Sequence, residues 1–297
     1  MTYTSKADSL YIIKRRIQIM RIMTDSSAMY TKEEAEQLNI DVLPLTVTID
    51  GETYKEYIDI TPDEFLEKIK NSNNMPSSSQ PSLGQTMEIF EKYPDEDIIV
   101  LNMADGLSGT YSTTSAAKNS MDHPERIHVI NTMTLCGPHR YLVDLACKLR
   151  DEGKSTQEIV NEIHKHIADV KSFLIPHDFK FLQKGGRLSP MAAKLGGMLK
   201  IVPVIEQSDD GRSLEKFAIK KTEKGAFKAV IKYFKERGLD ENYKIYLTHA
   251  GVLDIAERAK AQFEEGFPGV DVEIIELSPV FMTHGGPGAL AIQVIRK

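Results

Sequence analysis

Hydroxyls, one imidazole and one guanidinium, each set beside prolines or glycines, are the side chains of this sequence best placed for chemistry. Residues 75–82 read Met-Pro-Ser-Ser-Ser-Gln-Pro-Ser. Pro76 and Pro81 fix their own φ and push Met75 and Gln80 away from helix, so Ser77, Ser78, Ser79 and Ser82 sit in a short, stiff turn. Ser82 has the character of a helix N-cap, with Gln85 three positions on to complete a capping box. Hydroxyls beside the free N–H groups of a helix start make a cradle for an anion. A second turn, Leu107-Ser108-Gly109-Thr110-Tyr111, repeats the theme at the end of a predicted strand. His284 lies in His-Gly-Gly-Pro-Gly, a setting that brings backbone close to a ligand and holds the ring in place. Arg187, just past Gly185-Gly186, offers a fork for a carboxylate or phosphate. These groups suit anion binding; a Ser/His-dependent acyl hydrolase pairing Ser108 with His284 is the alternative chemistry.

Other chemistries find less support in the residues. No Gly-x-Gly-x-x-Gly follows the first strand, where Asp25-Ser26-Ser27 stands instead, and no Gly-Lys-Ser/Thr occurs, so a nucleotide site is not expected. His164 and His166 are two apart on a predicted helix and point to different faces; the other histidines show no ligand spacing, so no metal is expected. The 37 Lys and Arg against 43 Asp and Glu leave a formal charge of −6, with no block of like charge, which argues against nucleic acid. Cys136 and Cys147, the only cysteines, match no metal or redox spacing; so few thiols imply a reducing, cytoplasmic setting. No run approaches the ~20 apolar residues of a membrane span. Residues 10–13 are apolar and 14–16 basic, the reverse of a secretory signal, so residues 1–16 read as an N-terminal extension, a native arm or a remnant of expression.

The elements that must position these groups alternate in type. Strands are predicted over 17–24, 40–49 with an interruption at Pro44, 97–103 and 126–131; helices start at Thr31, Thr61 and Ser82, run over 135–150, and start again at Ser155. Asp50-Gly51 marks a hairpin. The continuous apolar run Ile98-Ile99-Val100-Leu101 is that of a strand buried on both faces. This pattern predicts an open, mostly parallel α/β sheet over residues 17–170, with function at the carboxyl ends of its strands. From 171 to 297 a second α/β domain with a mixed sheet is expected. It holds a strand at 172–176, a helix at 179–184 closed by Gly185-Gly186, and a Ser189-capped helix over 191–199. Strands at 201–206 and 213–219 flank Asp210-Gly211, and a long helix to 237 and further strands at 244–247 and 272–277 follow.

Five short motifs in order, Asp25-Ser26-Ser27, Ser78-Ser79-Gln80-Pro81-Ser82, Ser108-Gly109-Thr110-Tyr111, Gly185-Gly186-Arg187 and His284-x-Gly286-Pro287-Gly288, make the chain resemble the DegV family of bacterial fatty-acid-binding proteins from about residue 17 to its end. The family usually has threonine where this chain has Ser78, which keeps the hydroxyl and loses a methyl. The resemblance implies two α/β domains holding one long-chain fatty acid between them, with no cofactor. Ser78 and Ser108 would bond the carboxyl group, Ser79 and Thr110 would complete the clamp, and His284 and Arg187 would shape the polar end. The acyl tail would lie against Met191, Leu195, Met198 and Leu199, where Gly196-Gly197 leaves space, and against the strand at 201–205. Such proteins catalyse nothing alone; they present the bound acid to a separate fatty acid kinase subunit that makes acyl-phosphate.

Overall fold

The computed structural model describes residues 20–194 and 201–297. The N-terminal extension and the tail candidates Leu195, Met198 and Leu199, with Gly196-Gly197, lie outside the described residues.

β1 (Met20–Asp25) hands the chain to a one-turn 3-10 helix, Ser26–Ala28, when Asp25 accepts a hydrogen bond from the Ser27 N–H at 3.1 Å. α1 (Lys32–Gln37) opens on the Thr31–Glu34 capping box. The single strand expected over 40–49 is two: β2 (Ile40–Leu43) joins β1, and beyond Pro44 β3 (Thr46–Ile49) belongs to another sheet. Proline has no ladder donor, and the chain changes sheets there. Asp50 and Gly51, with φ of 51° and 82°, close the tight hairpin from β3 to β4 (Glu52–Lys55), because such turns need positive φ at both central residues. α2 (Pro62–Asn71) has the expected Thr61 cap. The serine segment is more than a turn: β5 (Ser77–Ser79) pairs with β3 as the edge of a three-stranded sheet, ordered β4-β3-β5. α3 (Leu83–Glu91), capped by Ser82 and Gln85, leads to β6 (Asp97–Asn102), α4 (Thr110–Asn119), β7 (Ile127–Asn131), α5 (Cys136–Asp151) and α6 (Thr156–Ile167). The main sheet of this half, β2-β1-β6-β7, is parallel throughout, and Ile99, Val100 and Leu101 at its centre are fully buried.

The second half runs β8 (Lys171–Ile175), α7 (Phe179–Gly185), α8 (Pro190–Ala193), β9 (Val202–Gln207), β10 (Leu214–Lys220), α9 (Glu223–Glu236), β11 (Tyr243–His249), α10 (Leu253–Gly266), β12 (Asp271–Glu276), α11 (Pro279–Gly285) and β13 (Leu290–Arg296). Its mixed sheet is ordered β10-β9-β8-β13-β11-β12, with β11 and β12 parallel and the other neighbours antiparallel. The turn expected at Asp210-Gly211 is a longer loop, since Gln207 pairs with Leu214. α11 was not expected, and the short apolar tail of the sequence is β13, lying between β8 and β11, where an apolar run is buried on both faces.

Alternation along these strands sorts two cores. Phe173, Leu247 and Ile292 face α9 and α10, while Tyr246 and Ile295 face α5 and join Ile22, Leu101 and Leu142 of the first half. α5 is thus packed between the parallel and the mixed sheet. Its approach to β11 needs glycine: a Cβ on Gly137 would stand 2.1 Å from Cγ of the buried Tyr246.

Candidate functional site

Four of the five motifs supply residues to one cavity of about 360 Å³ between the two halves of the chain. Ser78 reaches it because it is the middle residue of β5, opposite the buried Val47; Ser77 and Ser79 to either side are exposed, as strand alternation dictates. Ser79 also touches the cavity rim. Ser108 arrives from the end of β6 through a turn in which its N–H and that of Leu107 both donate to the Ala104 carbonyl. The Ser108 hydroxyl lies 2.8 Å from Oγ1 of Thr110 and accepts from the Thr110 N–H at 3.3 Å. Thr110 itself is fully buried and does not line the cavity, so it positions Ser108 rather than facing a ligand. Gln80 latches the two hydroxyl segments together: its side chain bonds Thr113 and lies so close over Gly109 that any Cβ there would collide with it.

His284 comes from the last turn of α11, and its Nε2 is 2.8 Å from Oγ of Ser78. Burial, and then the neighbouring Arg187 guanidinium, push its pKa down to about 4, so the ring is neutral near pH 7. Its Nδ1 is buried without a partner among the described residues. Gly185 and Gly186 close α7 with a left-handed exit at Gly186, φ 72°, as the sequence predicts. This exit aims Arg187 back at the first half, where Nε donates to the Leu107 carbonyl at 3.2 Å and Nη1 bonds the Gly185 carbonyl. The polar end therefore holds Ser78, Ser79, Ser108, His284 and Arg187, with Arg187 its one cationic side chain among the described lining residues.

Beyond that end the walls are mostly apolar: Leu174 and Ile205 from the mixed sheet, Leu182, Leu214 and Leu277, and Val280 and Phe281 from α11. Of the predicted tail strand, Ile205 is there. Met191 is not: it is 68% exposed on α8 and does not line this cavity, because the buried side of that short helix is taken by Ala192. The wall residues of β8 and β13 were missed, although the alternation in Ser172-Phe173-Leu174 signals a second buried face. The Ser108–His284 pair that a hydrolase would use is not formed; Ser108 bonds Thr110, and Ser78 takes the histidine.

Asp25-Ser26-Ser27 stands behind the cavity. The buried Asp25 carboxylate accepts from the Met103 N–H at 2.9 Å and Asn102 Nδ2 at 3.2 Å; the Ser26 hydroxyl accepts from the Leu45 N–H at 2.9 Å. Leu45 and Met103 both line the cavity, so the motif fixes wall backbone without touching the space itself. Ser27 bonds Nδ1 of the buried His139 at 2.9 Å, and burial lowers the pKa of that ring.

Comparison with known proteins agrees with the motifs. The family model described as "Uncharacterised protein, DegV family" matches residues 19–297. The DegV domain-containing protein SA1258 of Staphylococcus aureus (strain N315) is 33% identical over 279 residues, covering 93% of this chain and 98% of that protein. Among solved structures, the fatty acid binding DegV family protein SAG1342 from Streptococcus agalactiae superposes with a TM-score of 0.84 at 31% identity, over 94% of this chain and 99% of that one. DegV, a fatty acid binding protein from Bacillus subtilis, gives 0.82 at 28% identity, over 94% and 100%. The chain described here belongs to the DegV family.

Proposed function

We propose that this protein binds a long-chain fatty acid in the cavity between its halves and presents the carboxylate to a separate fatty acid kinase. Residues 17–170 and 171–297 act as two domains closing on the ligand. The observation that carries this reading is the polarity of the cavity, with two hydroxyl segments, a neutral imidazole and Arg187 at one end and predominantly apolar walls beyond. The relatives that bind fatty acids support it. Burial of ~0.8 kcal/mol per methylene makes a long acyl tail worth on the order of 10 kcal/mol gross, against ~1.5 to 3 kcal/mol for one hydrogen bond to a charged group. The tail supplies affinity, and Ser78, Ser108 and Arg187 orient the head. In the kinase step a carboxylate oxygen attacks the terminal phosphorus of a nucleoside triphosphate supplied by the partner, the bond to the diphosphate breaks, and acyl-phosphate forms.

A hydrolase reading draws on the Ser78–His284 contact, but among the described residues no group orients Nδ1 of His284, and a ring with a pKa near 4 is a weak base at pH 7. Native mass spectrometry of the purified protein should reveal a bound fatty acid, or uptake of added stearic acid, and a fluorophosphonate should leave Ser78 unlabelled. A protein that neither carries nor takes up the acid would overturn the proposal.

A further inference from the structure

The wall that β9, β8 and β13 present to the cavity carries an unspent hydrogen-bonding pair. Leu174 pairs with Ile205 on one side and Ala291 on the other, an apolar row; two residues along, the same face carries Gln207, Ser172 and Gln293. This row is separate from the polar end: its side-chain hydrogen bonds run to one another and to the backbone at Met133, Leu135, Gly137 and Gly211, and none reaches Ser78, Ser108, His284 or Arg187.

The donors and acceptors of the row can be accounted for one by one. Nε2 of Gln293 donates to the Leu135 carbonyl at 3.1 Å and to Oγ of Ser172 at 3.0 Å, while its Oε1 accepts from the Gly137 N–H at 3.4 Å. A carbonyl only accepts and an N–H only donates, so the amide cannot be flipped and Ser172 is the acceptor in that contact. Its own O–H proton has no acceptor among the described residues, and Ser172 is 7% exposed. Nε2 of Gln207 spends both protons on the carbonyls of Met133 and Gly211, at 3.0 and 3.1 Å, leaving Oε1 without a donor among the described residues. Both residues line the cavity, so a donor and an acceptor stand on its wall free to meet a polar group of a ligand.

We infer that Ser172 and Gln207 form a polar subsite for an acyl chain bearing a hydroxyl remote from its carboxyl group: Ser172 donates to the ligand oxygen, and that hydroxyl donates to Oε1 of Gln207. The inference rests on the fatty-acid reading above and narrows its substrate class to hydroxy fatty acids. Calorimetric titration with stearic acid, 12-hydroxystearic acid and 16-hydroxypalmitic acid, on wild type and Ser172→Ala, tests it. One hydroxylated acid should bind wild type about tenfold more tightly than stearic acid, and Ser172→Ala should erase that preference while keeping stearic acid affinity, which also reports that the variant is folded. Stearic acid binding wild type as well as or better than both hydroxy acids, or a preference unchanged in the variant, would overturn the subsite while leaving the proposed function standing. Binding of none of the three acids would remove both.

Discussion

His284 is held neutral by burial and by the Arg187 guanidinium, and it is held in place by a contact that only glycine permits. A Cβ added at Gly185 would stand 2.8 Å from Nδ1, closer than nonbonded atoms settle, and the ring would have to turn away from Ser78. Gly185→Ala should therefore weaken fatty acid binding by roughly tenfold, about the effect of losing one well-placed hydrogen bond, with little change in thermal midpoint. Calorimetry and a melting curve on the same preparation check this; unchanged affinity would mean that the His284 position is immaterial to the ligand. Ser108 and Thr110 divide their labour in the same local way, one hydroxyl at the cavity and one behind it. The resemblance assigned both to the carboxylate, and side-chain burial separates them.

Among the elements, α11 is the one whose placement matters most, since it brings His284, Val280 and Phe281 to the cavity. Its first turn is tied to the β4 end by Glu56, which accepts from the Val280 N–H at 2.6 Å and from the Ser26 hydroxyl at 2.5 Å. Burial pushes the Glu56 carboxyl up from an ordinary 4.5 to about 7, against the pull of the Ser26 and Val280 hydrogen bonds. A folded-state pKa raised above the unfolded value means the native protein keeps a proton that the unfolded chain releases. Glu56 thus contributes most below about pH 4.5, loses that contribution as pH rises to about 7, and changes nothing above. Glu56→Gln, which mimics the protonated acid, isolates this from the histidines. The melting temperature of wild type minus that of the variant should fall between pH 5 and 7 and level off beyond; a flat difference would place the Glu56 titration elsewhere.

The molecule as a whole is joined through α5, which the two sheets share, and through the loop before it. Gln293 and Gln207 bond the backbone at Leu135, Gly137 and Met133, so the mixed sheet grips the same segment that α5 grows from. Gly137→Ala should cost about 1 to 3 kcal/mol in chemical denaturation, because the new methyl meets Tyr246 at the root of its ring and not at a flexible end. In a Tyr246→Ala background the same change should cost much less; equal costs in both backgrounds would show that the contact is not the cause. No described helix is long and apolar enough to cross a membrane.

Features settled within a few residues were legible before any fold was known. Helix N-caps at Thr31, Thr61, Ser82 and Ser155, the Asp50-Gly51 hairpin and the Gly186 helix exit depend on bonds spanning three or four positions, and the five short motifs carry the family. Side chains that meet across the fold were not legible in the same way. Ser78 and His284 are 206 positions apart, and nothing local distinguishes that pairing from Ser108 with His284. The apolar end of the chain reads as no more than a tail, and it becomes an inner strand only through neighbours that folding supplies. Chain chemistry names the hydroxyls, the imidazole and the arginine; long-range packing chooses their partners and the wall that faces them.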